Sequence, residues 1–254
     1  MDTAFNYLSF ASHRTLFEVA GDLLPQFTIS TKIGFFPHHD RPQHSLDPQQ
    51  LWAAAEKTAE DLGRIPDVLL LHNPEHSLAH QPPAEAKGNL LSAFETMAEI
   101  TKRGLCTFWG ISSWRPRPLL TLTDAGSLPP TDVLMTRAGL LVDADTLAAG
   151  ELLAVGLGVE PDGRWGMSPF GGDSRQQVWT TFNTAVFLEP GQKATNIQSA
   201  FRVAFEIPPV HRVAVGTGSI EHLRSLVDAL SLRVDRTTVD RYRSLLNERS
   251  STPS

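Results

Sequence analysis

The sequence is poor in three features that would each indicate a particular class of protein. It contains one cysteine, Cys106, which excludes an internal disulfide and is typical of a reducing compartment. The formal net charge of −6 leaves no basic excess for a nucleic-acid backbone. No apolar run approaches the roughly 18 residues of a membrane helix, and the N-terminus lacks a secretion signal. We therefore expect a soluble cytoplasmic protein that binds neither nucleic acid nor membranes.

What the sequence does contain is a regular alternation of strand-like and helix-like segments. Such an alternation is typical of βα units that build a parallel sheet. The chain has 254 residues and is 41% hydrophobic, which is enough to bury a large core. Barrels of this size commonly form one domain. We expect an α/β protein in which residues 1–254 form a single domain.

Six segments are predicted as strands, and helical patterns follow them. The first helix after a strand has Asp47 as its N-cap, Pro48 at its first helical position and Gly63 at its end. Residues 36–46 are predicted to form a loop, and the Ser/Thr/Pro-rich end of the chain is predicted to fray. The strands are predicted to begin at Phe27, Asp67, Thr107, Asp132, Arg164 and Arg212. The later helices are predicted near residues 84–103, 118, 146–153, 176–187, 196–205, 219–230 and 239–247.

Four side chains with acid–base chemistry stand at the ends of successive strand-like segments. Asp2 and Tyr7 lie at the start of the chain, Lys32 follows the strand that begins at Phe27, and His72 follows the next one. Strand ends on one face of a parallel sheet are where α/β enzymes gather their catalytic groups. We predict that these four residues form one catalytic site.

The four residue types suit the reduction of a carbonyl group. A tyrosine phenol has a pKa near 10 and is a weak acid at neutral pH. A lysine ammonium beside Tyr7 would lower that pKa, and a carboxylate would hold Lys32 in place. A neutral histidine would orient the substrate oxygen by a hydrogen bond. The phenol would then protonate the alkoxide that forms when hydride reaches an aldehyde or a ketone.

These residues lie in three of six motifs that occur in a recognisable order. In that order the chain resembles the aldo-keto reductase superfamily, and the resemblance covers nearly the whole sequence. The motifs are Asp2-Thr3-Ala4-Phe5-Asn6-Tyr7, Thr31-Lys32, His72-Asn73-Pro74, Gly110-Ile111-Ser112-Ser113-Trp114, Ser168-Pro169-Phe170-Gly171-Gly172 and Val215-Gly216-Thr217-Gly218-Ser219-Ile220-Glu221-His222-Leu223.

The resemblance implies a (β/α)8 barrel of the TIM type. In that family two strands precede the Asp-Thr-Ala motif, whereas Asp2 is the second residue here. We therefore expect a barrel incomplete at its N-terminus, without the first strand, the first helix and most of the second strand. Such an open barrel would expose the edges of the Phe27 and Arg212 strands, which would favour a homodimer, and would leave Asp2 and Tyr7 on a flexible terminus.

The resemblance also implies a nicotinamide cofactor, either NADP(H) or NAD(H). In the family, amides at the start of the helix after the last strand bind the cofactor phosphate, and small residues with an N-cap stand at that place here. A well-capped helix without a ligand is the alternative reading of the same turn. The residues assigned to the cofactor are Ser112, Ser113, Met135, Met167, Ser168, Phe170, Gly171, Gly216, Thr217, Gly218, Ser219 and His222.

Three positions depart from the family pattern around the cofactor. Ser112-Ser113 replaces a Ser-Asn pair, and a serine cannot present both functions of an amide. Met135 and Met167 stand where relatives carry a glutamine and an aromatic ring. Thioethers pack well on flat rings, although both methionines would equally serve as core fillers.

Trp114 and Arg137 are predicted to contact the substrate. Because side chains alternate along a strand, Arg137 shares a face with Met135, and an inward arginine would bind a substrate carboxylate or phosphate. A salt bridge to Asp143 or Asp145 is the alternative. No metal site is predicted, since the loop histidines His38, His39 and His44 have no cysteine nearby.

The sequence leads to one main function and two competitors. The main prediction is an oxidoreductase that transfers hydride from a nicotinamide cofactor to a small-molecule carbonyl substrate. The first competitor uses Lys32 as a Schiff-base nucleophile in lyase or isomerase chemistry. The second is a cofactor-binding scaffold without turnover. The substrate and the choice between NAD and NADP are not defined by the sequence.

Overall fold

The computed structural model describes residues 1–123 and 128–250, and the predicted frayed end at residues 251–254 lies outside that part. The described chain divides into two compact units. Unit 1 comprises Met1–Met135 and Leu153–Glu160, and unit 2 comprises Thr136–Leu152 and Pro161–Ser254. That the whole chain forms a single domain stays a prediction.

All six predicted strands are present, beginning at the predicted residue or up to three residues later. They are β1 (Ser30–Ile33), β4 (Val68–His72), β5 (Phe108–Ser113), β6 (Val133–Arg137), β7 (Arg164–Met167) and β8 (Arg212–Ala214), together with the short strands β2 (Phe35–Phe36) and β3 (Gln43–His44). The α-helices are α1 (Ser12–Ala20), α2 (Pro48–Leu62), α3 (Glu75–Leu78), α4 (Pro83–Lys102), α5 (Arg117–Leu120), α6 (Ala144–Gly156), α7 (Val178–Thr181), α8 (Asn196–Val203), α9 (Ile220–Ala229) and α10 (Arg236–Ser250). Within residues 1–123 and 128–250, no helix is long and apolar enough to cross a membrane.

In unit 1, three strands run parallel in a fixed register. Ile33 at the end of β1 pairs with Leu71 of β4, and His72 at the end of β4 pairs with Ser112 of β5. Every residue of β4 is buried, as expected of a parallel strand covered on both faces. The register therefore brings Lys32, His72 and Ser112 to the carboxyl ends of neighbouring strands.

The first residues of the chain cover the edge of β1, contrary to the expectation of an exposed edge. The Ser30 amide donates to the carbonyl oxygen of Met1 at 2.8 Å, and the Thr3 amide donates to that of Ser30 at 2.9 Å. The Phe5 amide continues the pairing on Lys32 at 2.8 Å. Asp2 is thus held in a short parallel pairing and does not lie on a free terminus. The edge of β1 therefore does not support the expected homodimer, which stays a prediction.

Of the elements named above, α1, α3 and the hairpin of β2 and β3 in unit 1 were not predicted. α1 follows Tyr7 and begins without a side-chain cap at Ala11, and α3 is four residues long. The segment predicted as a loop at residues 36–46 contains the antiparallel hairpin of β2 and β3, with Phe35 opposite His44. By contrast, α2 matches its prediction: the Asp47 side chain accepts the Gln50 amide, and Gly63 ends the helix with φ 65°.

Unit 2 contains the parallel pair of β7 and β8, in which Met167 pairs with Ala214. Its core is built on aromatic side chains, with the Phe170 ring centroid 5.8 Å from Trp179 and 6.3 Å from Phe201. A capping box formed by Thr195 and Gln198 begins α8. These contacts fix the segment that follows β7.

Candidate active site

The centre of the site in unit 1 is an ion pair between Lys32 and Asp2. Lys32 Nζ donates to Asp2 Oδ2 at 2.5 Å and to the carbonyl oxygen of Thr3 at 2.9 Å. The Lys32 side chain is 3% exposed, so its charge depends on these partners. The second oxygen of Asp2 accepts from the Ser30 hydroxyl at 2.8 Å. The carboxylate is therefore oriented from two sides.

Tyr7 and His72 lie beside this ion pair. The Lys32 ammonium is 5.6 Å from the centroid of the Tyr7 ring. The Tyr7 and His72 rings are 6.2 Å apart in an edge-to-face arrangement. The structure thus brings together the four residues that the sequence predicted as catalytic, and all four belong to unit 1.

The pKa of Tyr7 shifts in the direction opposite to our prediction. Partial burial of the phenol raises its pKa, and the Asp2 carboxylate raises it further. The expected lowering by Lys32 does not prevail because Asp2 lies 2.5 Å from that ammonium and compensates its charge. Tyr7 is therefore a neutral phenol that holds its proton at neutral pH.

The segment after Tyr7 has an uncommon backbone. Leu8, Ser9 and Phe10 have φ values of 49°, 53° and 70°, in the left-handed region that disfavours side chains. The buried Ser12 fixes this turn, because its hydroxyl donates to the Ala4 carbonyl at 2.7 Å and its amide donates to that of Tyr7 at 3.3 Å. These bonds hold the backbone of Tyr7 in spite of the strained turn.

The His72 imidazole is neutral, and one of its ring nitrogens has no hydrogen-bond partner among the described residues. Burial, with a smaller contribution from the charge of Lys32, lowers its pKa to about 3. Its Nδ1 is buried and makes no hydrogen bond to any described residue. An unsatisfied acceptor costs less than an unsatisfied N–H, so the proton is assigned to Nε2. In that tautomer His72 has one N–H with which to donate to a ligand.

The end of β5 is held by a buried carboxyl group that the sequence did not single out. Glu75 Oε1 accepts the amides of Trp114 and Arg115 at 2.8 and 2.9 Å. Burial raises the pKa of Glu75, and these bonds oppose the rise. The Ser113 hydroxyl lies near enough to lower that pKa, although it makes no hydrogen bond of normal geometry. Glu75 follows the predicted catalytic residue His72 by three residues, and this closeness in the sequence is the signal that could have indicated its presence at the site.

The remaining predicted residues of this strand end differ in accessibility. Ser112 is fully buried, and its hydroxyl donates to the Leu71 carbonyl at 3.3 Å. Trp114 is 39% exposed. Met135 is buried, which agrees with the alternative that it fills the core. A role of these residues toward a cofactor or a substrate stays a prediction.

In unit 2, a cleft of about 720 Å³ lies beside the ends of β7 and β8. Five residues assigned to the cofactor line it, namely Ser168, Phe170, Gly216, Thr217 and His222. The Ser168 hydroxyl is buried without a hydrogen-bond partner among the described residues, and its backbone has φ 56°. Arg175 also lines the cleft and pairs with Asp173 at 3.1 Å.

Other residues assigned to the cofactor have structural roles in unit 2. Gly171 has φ 68°, and a Cβ there would approach the Leu141 side chain to 2.9 Å. Ser219 caps α9 by accepting the His222 amide at 3.3 Å, and Gly218 precedes it in the turn. Met167 at the end of β7 is half-buried. Their binding roles stay predictions.

Arg137 in unit 2 forms the salt bridge that was the alternative to substrate binding. Its guanidinium lies 3.2 Å from Asp143 and donates to the Leu141 carbonyl. Asp143 also caps the next helix through the Thr146 amide at 2.8 Å. An ion pair of this kind leaves less of the guanidinium for a substrate anion.

The loop histidines divide into two kinds. His38 and His39 are exposed and stack edge to face at 4.7 Å. His44 is held by Ser77 and by the carbonyl of His72, a contact that no pattern in the sequence indicates. In residues 1–123 and 128–250, no three His, Cys, Asp or Glu side chains are grouped to hold a metal ion.

Solved structures with this fold include several aldo-keto reductases. One from Klebsiella pneumoniae in complex with NADPH matches with a TM-score of 0.68 and 16% identity, over 97% of this chain and 79% of that one. The holo form of an aldo-keto reductase from Bacillus halodurans matches with a TM-score of 0.68 and 15% identity, over 96% of this chain and 81% of that one. A thermostable aldo-keto reductase in complex with the inhibitor epalrestat matches with a TM-score of 0.68 and 21% identity, over 97% and 80%.

No protein-family model and no curated protein matches the chain. At 15 to 21% identity the structural likeness shows the fold. The α/β fold of the TIM-barrel type that the motifs predicted is therefore confirmed, and so is the resemblance to the aldo-keto reductases at the level of the fold.

Proposed function

We propose that this protein reduces an aldehyde or ketone with hydride from a nicotinamide cofactor, and that Tyr7 donates the proton. The observation that carries the proposal is the assembly of a neutral phenol, a neutral imidazole and a buried ion pair within unit 1. The Tyr7 ring lies 6.2 Å from His72 and 5.6 Å from the Lys32 ammonium. The aldo-keto reductases with the same fold support this reading.

The four residues have separate tasks in this proposal. The Nε2–H of His72 donates to the carbonyl oxygen of the substrate and orients it. The Tyr7 hydroxyl gives its proton to the alkoxide oxygen as the C–H bond forms. The part of the Lys32 charge that Asp2 leaves uncompensated then stabilises the phenolate that remains, and Asp2 holds Lys32 in position. A raised pKa keeps Tyr7 protonated until the alkoxide, a much stronger base, develops beside it.

The cleft in unit 2 suits the phosphate-bearing part of a nucleotide. The unpartnered Ser168 hydroxyl and the N-terminus of α9 supply hydrogen-bond donors, and open space surrounds Gly216. When bound, NAD(P)H would supply the hydride. The lining side chains that can carry positive charge are Arg175, which pairs with Asp173, and His222. We therefore propose testing NADH and NADPH side by side.

The Schiff-base alternative is less well supported. A lysine that acts as a nucleophile needs a neutral amine with a free lone pair. Lys32 Nζ is instead held by the Asp2 carboxylate at 2.5 Å and by the Thr3 carbonyl at 2.9 Å. Nζ is thus engaged by two acceptors and is not free to attack a substrate carbon.

The proposal is tested by following the consumption of NADPH and NADH over a panel of aldehydes and ketones. Tyr7→Phe should lower kcat by about 100- to 10,000-fold while cofactor binding persists. The chain has two tyrosines, so Tyr242→Phe is the matched control. Tyr242 belongs to unit 2 and donates to the Leu140 carbonyl at 2.7 Å, and its variant should keep the activity of the wild type.

Cofactor binding is tested separately by the quenching of protein fluorescence. Gly216→Asp brings a carboxylate into the cleft and should weaken binding of either cofactor roughly tenfold or more. Gly88→Asp, at an exposed position of α4 with open space around it, is the control. Binding without turnover, unaffected by Tyr7→Phe, would support the non-catalytic scaffold, and neither binding nor turnover would remove the proposal.

A further inference from the structure

His44 on β3 uses both ring nitrogens in hydrogen bonds. Its Nδ1 lies 2.6 Å from the Ser77 hydroxyl, and its Nε2 lies 2.8 Å from the carbonyl oxygen of His72. Burial lowers the pKa of His44 to about 4, so the ring is neutral and carries one proton. A carbonyl oxygen only accepts, so that proton must be on Nε2, and the Ser77 hydroxyl donates to Nδ1.

The carbonyl of His72 needs this donor because the pairing of β4 with β1 ends just before it. The last pair between β1 and β4 is Ile33 with Leu71, so β1 has no residue opposite His72. Gly34 leaves the strand direction with φ 138°, and Asn73 turns the chain with φ 54°. A buried carbonyl without a partner is unfavourable. His44 therefore replaces the missing sheet partner at the end of β4.

The same hairpin contacts the His72 ring. The Phe35 ring centroid lies 5.0 Å from that of His72 and 4.7 Å from that of His44, edge to face in both cases. Because Nδ1 of His72 has no hydrogen-bond partner in the described chain, packing rather than bonding orients its ring. The β2–β3 hairpin thus contacts both the backbone carbonyl and the imidazole ring of His72.

Gly34 permits this arrangement. A Cβ at Gly34 would lie 3.2 Å from His44 Nε2 and 3.4 Å from the His72 carbonyl oxygen. A side chain there would also have to adopt the φ of 138°. The early end of β1, Gly34 and the imidazole of His44 are therefore all needed for this hydrogen bond at the end of β4.

We propose that His44 is a positioning residue for His72: its Nε2–H fixes the end of β4, and the hairpin that carries it sets the orientation of the His72 imidazole. This inference rests on the proposed function for its catalytic consequence. His44 acts through His72 and does not contact the substrate. The His72 N–H is directed at the substrate oxygen only while the backbone beneath it is held.

The first test reads His72 without turnover. Nitrogen-15 NMR of the imidazole groups, with His72→Gln to assign the signal, should show one sharp Nε2–H tautomer in the wild type. In His44→Phe, which keeps a ring but loses both hydrogen bonds, the His72 signals should shift and broaden. In Ser77→Ala the donor to His72 remains, so they should stay close to those of the wild type. Unchanged His72 signals in a folded His44→Phe variant would overturn the inference.

The second test uses kinetics and a double variant. His44→Phe should lower kcat/KM at least about tenfold, since small displacements of an orienting group cost this much. His44→Gln, whose amide can donate to the carbonyl and accept from Ser77, should recover most of the loss. In a His72→Gln background, His44→Phe should cost nothing further, whereas a general structural role would cost the same again.

The two tests separate this inference from the proposed function. If the wild type turns over no carbonyl, the proposed function fails, and the NMR comparison still decides whether His44 positions His72. If turnover is present but the two substitutions are additive, the positioning role is wrong while the reductase activity stands.

Discussion

The Lys32 ammonium lies 2.5 Å from the Asp2 carboxylate, and this ion pair joins the first residues of the chain to the end of β1. The backbone pairing of Met1, Thr3 and Phe5 with β1 brings the carboxylate to that position. The ion pair thus sets the electrostatic surroundings of Tyr7, and it adds to the backbone pairing that holds the N-terminal segment on β1.

Replacement of Asp2 by asparagine should lower the pKa of Tyr7. The carboxylate raises that pKa, and its removal also leaves the Lys32 charge uncompensated beside the phenol. Absorbance titration of the two tyrosines measures the change, and Tyr7→Phe assigns the signal. Because Lys32 would lose the partner of a buried charge, the free energy of unfolding should fall by about 3 kcal/mol. A Tyr7 pKa that is unchanged or higher in Asp2→Asn contradicts the prediction.

Replacement of Leu8 by glycine should stabilise the protein relative to Leu8→Ala. Leu8 is 67% exposed and has φ 49°, so the side chain contributes little and the backbone is strained. Alanine retains the strain, whereas glycine removes about 1 kcal/mol of it. The comparison of the two variants by urea unfolding isolates the backbone term. Equal stability of the two would mean that the turn does not hold this φ in solution.

Stability should decrease below neutral pH through His13. Burial lowers the pKa of His13 to about 4, below the value near 6.5 of an unfolded histidine. As the pH falls, the unfolded chain therefore binds the proton before the folded protein does. The contribution of His13 to stability is complete above pH 6.5 and is lost as the pH falls toward 4. His13→Gln should remove up to about 2 kcal/mol of the loss between pH 7 and pH 5.

A matched control for His13 is Thr31→Val. His13 Nε2 lies 2.6 Å from the Thr31 hydroxyl, so this variant removes the hydrogen bond and keeps the buried imidazole. Its pH dependence should stay that of the wild type, although its stability is lower. If His13→Gln and the wild type lose stability in parallel between pH 7 and pH 5, the imidazole is not the group responsible.

Glu75 should give a pH dependence of the opposite sign. Burial raises the pKa of this carboxyl in the folded state, so the folded protein binds the proton more tightly than the unfolded chain. Its contribution is therefore most favourable below the unfolded pKa and is lost as the pH rises through the folded one. The stability of the wild type relative to Glu75→Gln should rise as the pH is lowered through the raised pKa toward the ordinary value of 4.5, measured by urea unfolding. A constant or reversed difference contradicts the raised pKa.

Much of the fold could be predicted because it depends on local patterns. The six main strands were identified from apolar and β-branched runs, and α2 from the Asp47 cap, Pro48 and Gly63. α1 was missed because Ala11 provides no side-chain cap at its start and its buried residues, Ser12 and His13, are polar. The hairpin is two residues long on each side, and its stability comes from contacts of Phe35 and His44 with distant residues.

The sequence by itself determined the identity of the catalytic candidates, since Asp2, Tyr7, Lys32 and His72 follow from residue types at strand ends. It did not determine their electrostatics. The pKa of Tyr7 depends on how closely Asp2 compensates Lys32, and the role of His44 depends on where β1 ends relative to β4. Both are distances between residues far apart in the chain. A sequence pattern specifies which groups are present, whereas Coulomb energies and hydrogen bonds depend on separations of a few ångströms that only the folded chain sets.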